Sequence, residues 1–250
     1  MADRVTIRTG ILSKVTNNPS MFGFLLCLPS FLSVFFLNIF PFLWVIYIAF
    51  TDVNIYKGTI TFNGVENFAT VAKSEEFFGS ILLTVEYSVI VVLGASVLGL
   101  LIALVLNREF RGRSVLRSLL VVPWAIPWIV NGFLWSWIFD ANFGLVNGIL
   151  YQLGLIKSYL VFFSPELALL CAAIAAVWIQ SSFTGLICLS GLQAIPQEMY
   201  ESADIDGADI LRKFRHITAP WIRSTWAMAT LVNAIVGLTM FDIIYVLSLI

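Results

Sequence analysis

The chain has 250 residues, of which 60% are hydrophobic and 12% charged, and its mean hydropathy is +0.94. A soluble domain carries about 25% charged residues, so this composition excludes an ordinary water-soluble domain and makes lipid the solvent for most of the chain. The formal net charge of −1 decides nothing, because in a membrane protein the placement of charge carries the information.

Residues 21–50 contain no charge. The run is too long for a signal-peptide core and lacks a small-residue cleavage site, so it is expected to be an uncleaved first span. Pro29 and Pro41 are expected to bend it or delay its start. Further spans are expected at about 78–106, 116–139, 166–190 and 224–247, each near the roughly 20 residues needed to cross a bilayer core. The fold class expected is an all-α polytopic membrane protein. Residues 1–20 form an N-terminal segment and 21–250 a single transmembrane domain with a long loop at 191–223. The connecting segments 51–77 and 140–165 carry turn-formers such as Asn63-Gly64 and Asn147-Gly148, and little else.

The basic residues give a direction. With the N-terminus in the cytoplasm, the inner segments hold Arg4, Arg8, Lys14, Arg108, Arg111, Arg113, Arg117, Arg212, Lys213, Arg215 and Arg223. Only Lys57, Lys73 and Lys157 fall outside. Short basic loops resist translocation, so this bias predicts a cytoplasmic N-terminus and a cytoplasmic 191–223 loop.

Several classes of chemistry have no support. No glycine loop ends in Gly-Lys-Ser/Thr, no His/Cys/carboxylate cluster has metal-ligand spacing, and no nucleophile elbow is present. Neither catalytic nor metal-ligating residues are therefore expected, nor a cofactor bound by this chain. Cys27, Cys171 and Cys188 lie in apolar runs without paired spacing and read as packing residues.

A few polar and aromatic side chains within the spans are candidates for a solute pathway. Trp124, Trp128, Asn131 and Trp135 are spaced by four, three and four, and are expected to share one helical face. Trp135 and Trp137 are expected in an interfacial belt. Trp124 and Trp128 flank Pro127, and their ring planes beside the Asn131 amide would suit a sugar's C–H faces and hydroxyls; packing between helices is the competing reading. Glu86 is the acid well inside the second span, where a carboxylate faces a cavity or a partner by default. Gln180, with Ser181 and Ser182, reads as interhelical hydrogen bonding or pathway lining. Asp242 reads as a helix cap or part of an outer gate.

Residues 196–220, PQEMYESADIDGADILRKFRHITAP, hold the chain's histidine and eight of its charges. Pro196 suits a first helical turn, and Gly207 is expected to end that helix in a left-handed conformation. A second short helix follows, its acid early and its bases late as the macrodipole favours. Ile210, Leu211, Phe214 and Ile217 give it one apolar face, and Pro220 is expected to stop it. A bare connector needs about two to eight residues. A structured, two-faced loop of this length is expected to dock a partner.

These residues resemble the "EAA" loop of ABC importer permease subunits: Glu201-Ser202-Ala203, Asp206-Gly207-Ala208, then Phe214, Ile217 and Pro220. Ser202 replaces the second small alanine, and Ala219 stands where leucine often precedes the proline. PFLWVIYIAFTDVN (41–54), NGVENF (63–68), the 106–139 stretch with FGLVN (143–147), and MFDIIYVL (240–247) are similar to the carbohydrate-type branch, which serves sugars or glycerol-phosphate-like solutes. The resemblance implies a type I ABC importer transmembrane-domain fold in a prokaryotic inner membrane. It further implies a second permease subunit, two cytoplasmic ATP-binding subunits that use ATP and Mg, and an extracytoplasmic solute-binding protein. Nucleic acid has no place in that assembly. The family core has six spans and this sequence stops after the fifth, so the sixth either lies beyond these residues or has been lost. The same fold importing an amino acid, polyamine or oxyanion, and a non-transporting membrane scaffold, are the alternative readings.

Overall fold

A computed structural model of the protein describes residues 19–249. Arg4, Arg8 and Lys14, on which part of the orientation argument rests, lie outside the described residues. The described chain contains four helices long and apolar enough to span a membrane: Pro19–Ala49, Glu75–Asn107, Ala168–Gln193 and Ile210–Ser248. A fifth candidate is a broken pair, Arg113–Ala125 and Trp128–Ile138, bent by 101°. The described residues divide into two compact units, which meet in sequence between Phe77 and Phe78.

In the first unit, α1 (Pro19–Val34), a π-helical turn (Phe35–Ile39) and α2 (Phe40–Ala49) form one rod. Proline cannot bond its i−4 carbonyl and its ring crowds that oxygen. The widened turn absorbs the misfit at Pro41: the Phe40 N–H donates to the Phe35 carbonyl, five residues back. The rod therefore runs through both prolines.

The segment after it holds more than turns. Strands β1 (Thr51–Asn54) and β2 (Thr59–Phe62) pair antiparallel, with Thr51 opposite Phe62, and α3 (Glu66–Ala72) follows. The β-branched residues of these strands favour extended backbone, but four-residue strands leave too little periodicity to read. Asn67 fastens the hairpin to the rod, its amide donating to the Ala49 and Thr51 carbonyls at 3.0 and 2.9 Å. The Phe50 and Phe68 rings meet beside it, 5.1 Å between centroids.

In the second unit, α4 (Glu75–Asn107, whose first turn belongs to the first unit), α5 (Arg113–Ala125), α6 (Trp128–Ile138) and α7 (Leu145–Gln152) precede the central helix α8 (Ala168–Gln193). Helices α9 (Gln197–Ile205) and α10 (Ile210–Lys213), a second π turn (Phe214–Thr218), α11 (Ala219–Thr239) and α12 (Asp242–Ser248) complete it. Helix α8 packs against α5, α6, α11 and α12. Its alanines, serines and glycines let neighbours approach closely, which is how helices associate where lipid supplies no hydrophobic drive. Gly99 of α4 marks the tightest approach: a Cβ there would lie 2.8 Å from the Ser181 carbonyl and against the Thr184 side chain.

Three expectations are corrected by this unit. The 116–139 span is two helices, because Pro127 disfavours helical backbone at the residue before it, and Ile126 is extended with ψ 127°. Asn147-Gly148 is no turn but sits inside α7, where Asn147 is fully buried. Its amide donates to the Asp140 and Leu160 carbonyls, and its oxygen accepts the Leu160 N–H at 2.9 Å. Pro220 does not end a helix. The π turn lets the Ala219 N–H reach the Phe214 carbonyl, and the rod continues through Pro220 into α11, as at Pro41.

Two apolar clusters form the core. One gathers Tyr87, Val91, Ala172, Ala173, Ala175, Ala176, Val177, Ile243 and Leu247; the other gathers Leu100, Ala103, Cys188, Leu192, Ile217 and Ile222.

Candidate functional site: the loop hairpin and the polar ladder

Pro196, with ψ 136°, turns the chain out of α8 and into α9. Helix α9 ends in a Schellman motif: the Gly207 N–H donates to the Asp204 carbonyl at 3.1 Å and the Ala208 N–H to the Ala203 carbonyl at 2.9 Å. Gly207 has φ +70°, a conformation costly for any residue with a Cβ. Asp209 then caps α10, its carboxylate accepting the Arg212 N–H at 2.7 Å. The two arms are tied by the Lys213–Asp204 ion pair and by a 2.9 Å hydrogen bond between the Tyr200 and Thr218 hydroxyls.

This hairpin has an inner and an outer face. Met199, Tyr200, Ala203, Phe214 and Ile217 pack on the second apolar cluster. Ile205, Ile210 and Leu211 stand 88%, 76% and 73% exposed, beside exposed Glu201, Ser202 and Asp206. Of the apolar face expected for Ile210, Leu211, Phe214 and Ile217, the structure brings Ile210, Leu211 and Phe214 together on a concavity of about 600 Å³ beside Leu101 and Leu104, while Ile217 is buried in the second cluster. Half-buried Ala208 lines a concavity of about 320 Å³ with Asp206, Arg212 and His216, and Pro220 is exposed.

The pathway candidates are scattered by the break at Pro127. Trp124 ends up on α5, half exposed and stacked on Phe183 at 6.0 Å, while Trp128 starts α6 against the first cluster. They do not share a helical face, since a period argument holds only within one unbroken helix. Asn131 is fully buried and donates to the Ala175 carbonyl at 3.2 Å. Trp135 packs on Phe139 and Trp178, whereas Trp137 is 68% exposed. Glu86 is exposed on α4, and Asp242 is half-buried in the first turn of α12.

Gln180 belongs to a buried polar ladder whose other members sequence reasoning missed. Its amide donates to the Asn233 oxygen at 3.0 Å; the Asn233 amide donates to the Thr184 and Ser96 hydroxyls at 2.9 and 3.3 Å. Ser96 also meets Thr230 at 3.1 Å, and its carbonyl accepts from the Trp226 indole. The ladder ties α4, α8 and α11 into one body. Asn233 is the amide within the last span, and Gln180 and Thr184 are four apart on one face; those two signals pointed to it.

Residues 95–248 match the family model described as "Binding-protein-dependent transport system inner membrane component". The chain is 35% identical over 238 residues to the "Trehalose/maltose transport system permease protein MalF" of Thermococcus litoralis, covering 95% of this chain and 80% of that protein. It is 32% identical over 225 residues to the "Sulfoquinovosyl glycerol transport system permease protein SmoG" of Agrobacterium fabrum, covering 90% and 73%. Its fold resembles that of a bacterial ABC transporter involved in the import of the acidic polysaccharide alginate, with a TM-score of 0.74 and 21% identity over 95% of this chain and 83% of that one. Sequence and fold agree, and the chain belongs to the family of binding-protein-dependent transport system inner membrane components.

Proposed function

We propose that this chain is the transmembrane permease subunit of an ATP-driven importer for a sugar or a related polyol or glycerol-phosphate-like solute. The observation that carries the reading is the 196–220 helical hairpin, continuous with the spans, in a chain whose relatives are named as trehalose/maltose and sulfoquinovosyl glycerol transport system permeases. The basic-residue bias puts that hairpin and the N-terminus in the cytoplasm. There the exposed Ile205, Ile210 and Leu211, with Glu201, Ser202 and Asp206, fit a groove on an ATP-binding subunit. Two such subunits bind ATP and Mg; this chain holds neither and performs no covalent chemistry. A second permease completes the pathway, and a binding protein delivers solute from outside.

Coupling follows from stiffness. Closure of the ATP-binding pair pulls on α9 and α10, and the π turn passes the motion into α11 without a loop. The polar ladder makes α4 and α8 follow α11, so the spans tilt as one body and access alternates. Along that route Trp124 and Trp128, on either side of the break, offer ring faces to a sugar and Asp242 a polar position, while Asn131 and Gln180, buried and hydrogen-bonded, hold the helices together.

Reconstitution with the cognate partners in vesicles tests this reading. Binding-protein-dependent, sugar-stimulated ATP hydrolysis is expected, with stimulation lost on Ile210→Asp/Leu211→Asp. Hydrolysis indifferent to every sugar offered would favour another solute, and hydrolysis indifferent to the permease altogether would leave only a scaffold.

A further inference from the structure

After Glu86, helix α4 runs without a charge until Arg108 follows its last residue. Its final two turns line one side of the concavity of about 600 Å³ beside the 196–220 hairpin. Leu101, Leu104 and Phe214 give this concavity apolar walls, whereas Asn107, Arg108 and Lys213 bring it polar atoms. From Leu101 to Arg108 is about 10 Å along the helix, so the lining passes from span hydrocarbon to cation over that distance. Ile210 and Leu211, most of whose surface is exposed, border it as well.

The cations are not matched by acids. Among the described residues no carboxylate lines this concavity. The ion pairs are Arg113–Glu109 and Lys213–Asp204, which leaves the exposed Arg108 guanidinium without one. Lys213 donates to Asp204 and has two further N–H donors. The carbonyl end of α4 would repel an anion, but Arg117 sits on it, its Nε and Nη2 donating to the Leu106 carbonyl at 3.2 and 2.7 Å. A free phosphate would leave the leucine walls uncovered, and a neutral acyl chain would give Arg108 no acceptor. An irregular polypeptide segment reaching Leu101 would carry unpaired backbone groups to hydrocarbon depth. An amphiphile with one anionic end satisfies both ends of the lining, and basic pockets at the cytoplasmic ends of spans take anionic headgroups for this reason.

We propose that this concavity seats an anionic phospholipid of the inner leaflet, its phosphate on Arg108 and Lys213 and one acyl chain along Leu101, Leu104 and Phe214. The inference takes only the orientation from the reading above; it needs neither the solute nor the partners, so its failure leaves that reading standing.

The full chain, purified in a neutral detergent, is offered phosphatidylglycerol carrying a diazirine in one acyl chain, with the matching phosphatidylcholine as comparison. Irradiation is expected to place phosphatidylglycerol adducts on residues 101–108 and on Phe214, and far fewer from phosphatidylcholine. Arg108→Gln is expected to lower this labelling about fivefold, the worth of one cation beside an anionic headgroup, while Arg108→Lys keeps most of it. Arg111→Gln removes a basic residue outside the concavity and is expected to change it little. Equal labelling by the two lipids, an equal loss with Arg111→Gln, or full displacement by inorganic phosphate overturns the proposal. So does loss of the adducts once the ATP-binding subunit is bound, which would give the concavity to that subunit.

Discussion

Gly207→Ala isolates a single physical term in the 196–220 hairpin. The glycine has φ +70°, and a Cβ built on it would meet nothing within 4 Å. The substitution therefore adds no clash and removes no contact; it acts through backbone strain alone. A left-handed residue with a Cβ costs about 1–2 kcal/mol, which lowers the closed-to-open ratio of the Schellman turn about 5- to 30-fold. Hydrogen exchange reads that ratio directly, because the Gly207 and Ala208 amides donate to Asp204 and Ala203 in the closed form. Their protection is expected to fall by that factor in Gly207→Ala and by less in Gly207→Asn, since asparagine tolerates this region better. Amides of α8 are expected to keep their protection. Sugar-stimulated ATP hydrolysis is expected to fall in the same order, Gly above Asn above Ala. Unchanged exchange at Gly207 and Ala208 in the alanine variant would refute the strain argument. Altered exchange with undiminished coupling would refute the role given to the hairpin.

Three further outcomes are expected. Asn233→Leu leaves the Gln180 amide without its acceptor and Thr184 without its donor, at about 1–3 kcal/mol for each unsatisfied group; a lowered melting temperature in detergent, partly restored by adding Gln180→Met, checks it. Gly99→Ala forces α4 off α8 at the Ser181 carbonyl and is expected to cost about 1–3 kcal/mol by the same melting assay; Gly23→Ala, which meets nothing within 4 Å, is its control. Trp124→Ala removes a half-exposed ring stacked on Phe183, so it is expected to alter the uptake rate or sugar preference while leaving the melting temperature nearly unchanged; identical kinetics would return Trp124 to simple packing.

Much of this protein is written in stretches that need no distant partner. The uncharged run at 21–50, the apolar runs ending at Asn107 and Gln193, and the charge reversal across 198–215 each declare themselves within a few helical turns. Gly207 and Asp209 do the same, because a left-handed turn and a helix cap are satisfied by neighbours three to five residues away. The EAA-like spacing survives for that reason, and it names the family from a short stretch.

What the tertiary structure decided involves partners far apart along the chain, or backbone choices that two prolines leave open. Asn147 reads as a turn-former until Leu160 supplies both hydrogen bonds that bury it. Trp124 and Trp128 read as one face until extended backbone at Ile126 sends their helices apart by 101°. Pro220 reads as a stop, yet a π turn carries the helix past it. Asn233 reads as one polar residue in an apolar span, and only the approach of α4 and α8, 49 to 137 residues away in sequence, turns it into the rung that holds three spans together. Local propensity and hydropathy determine which segments are helices and which cross the bilayer. Desolvation decides the rest, since a buried amide must find its partners wherever packing brings them.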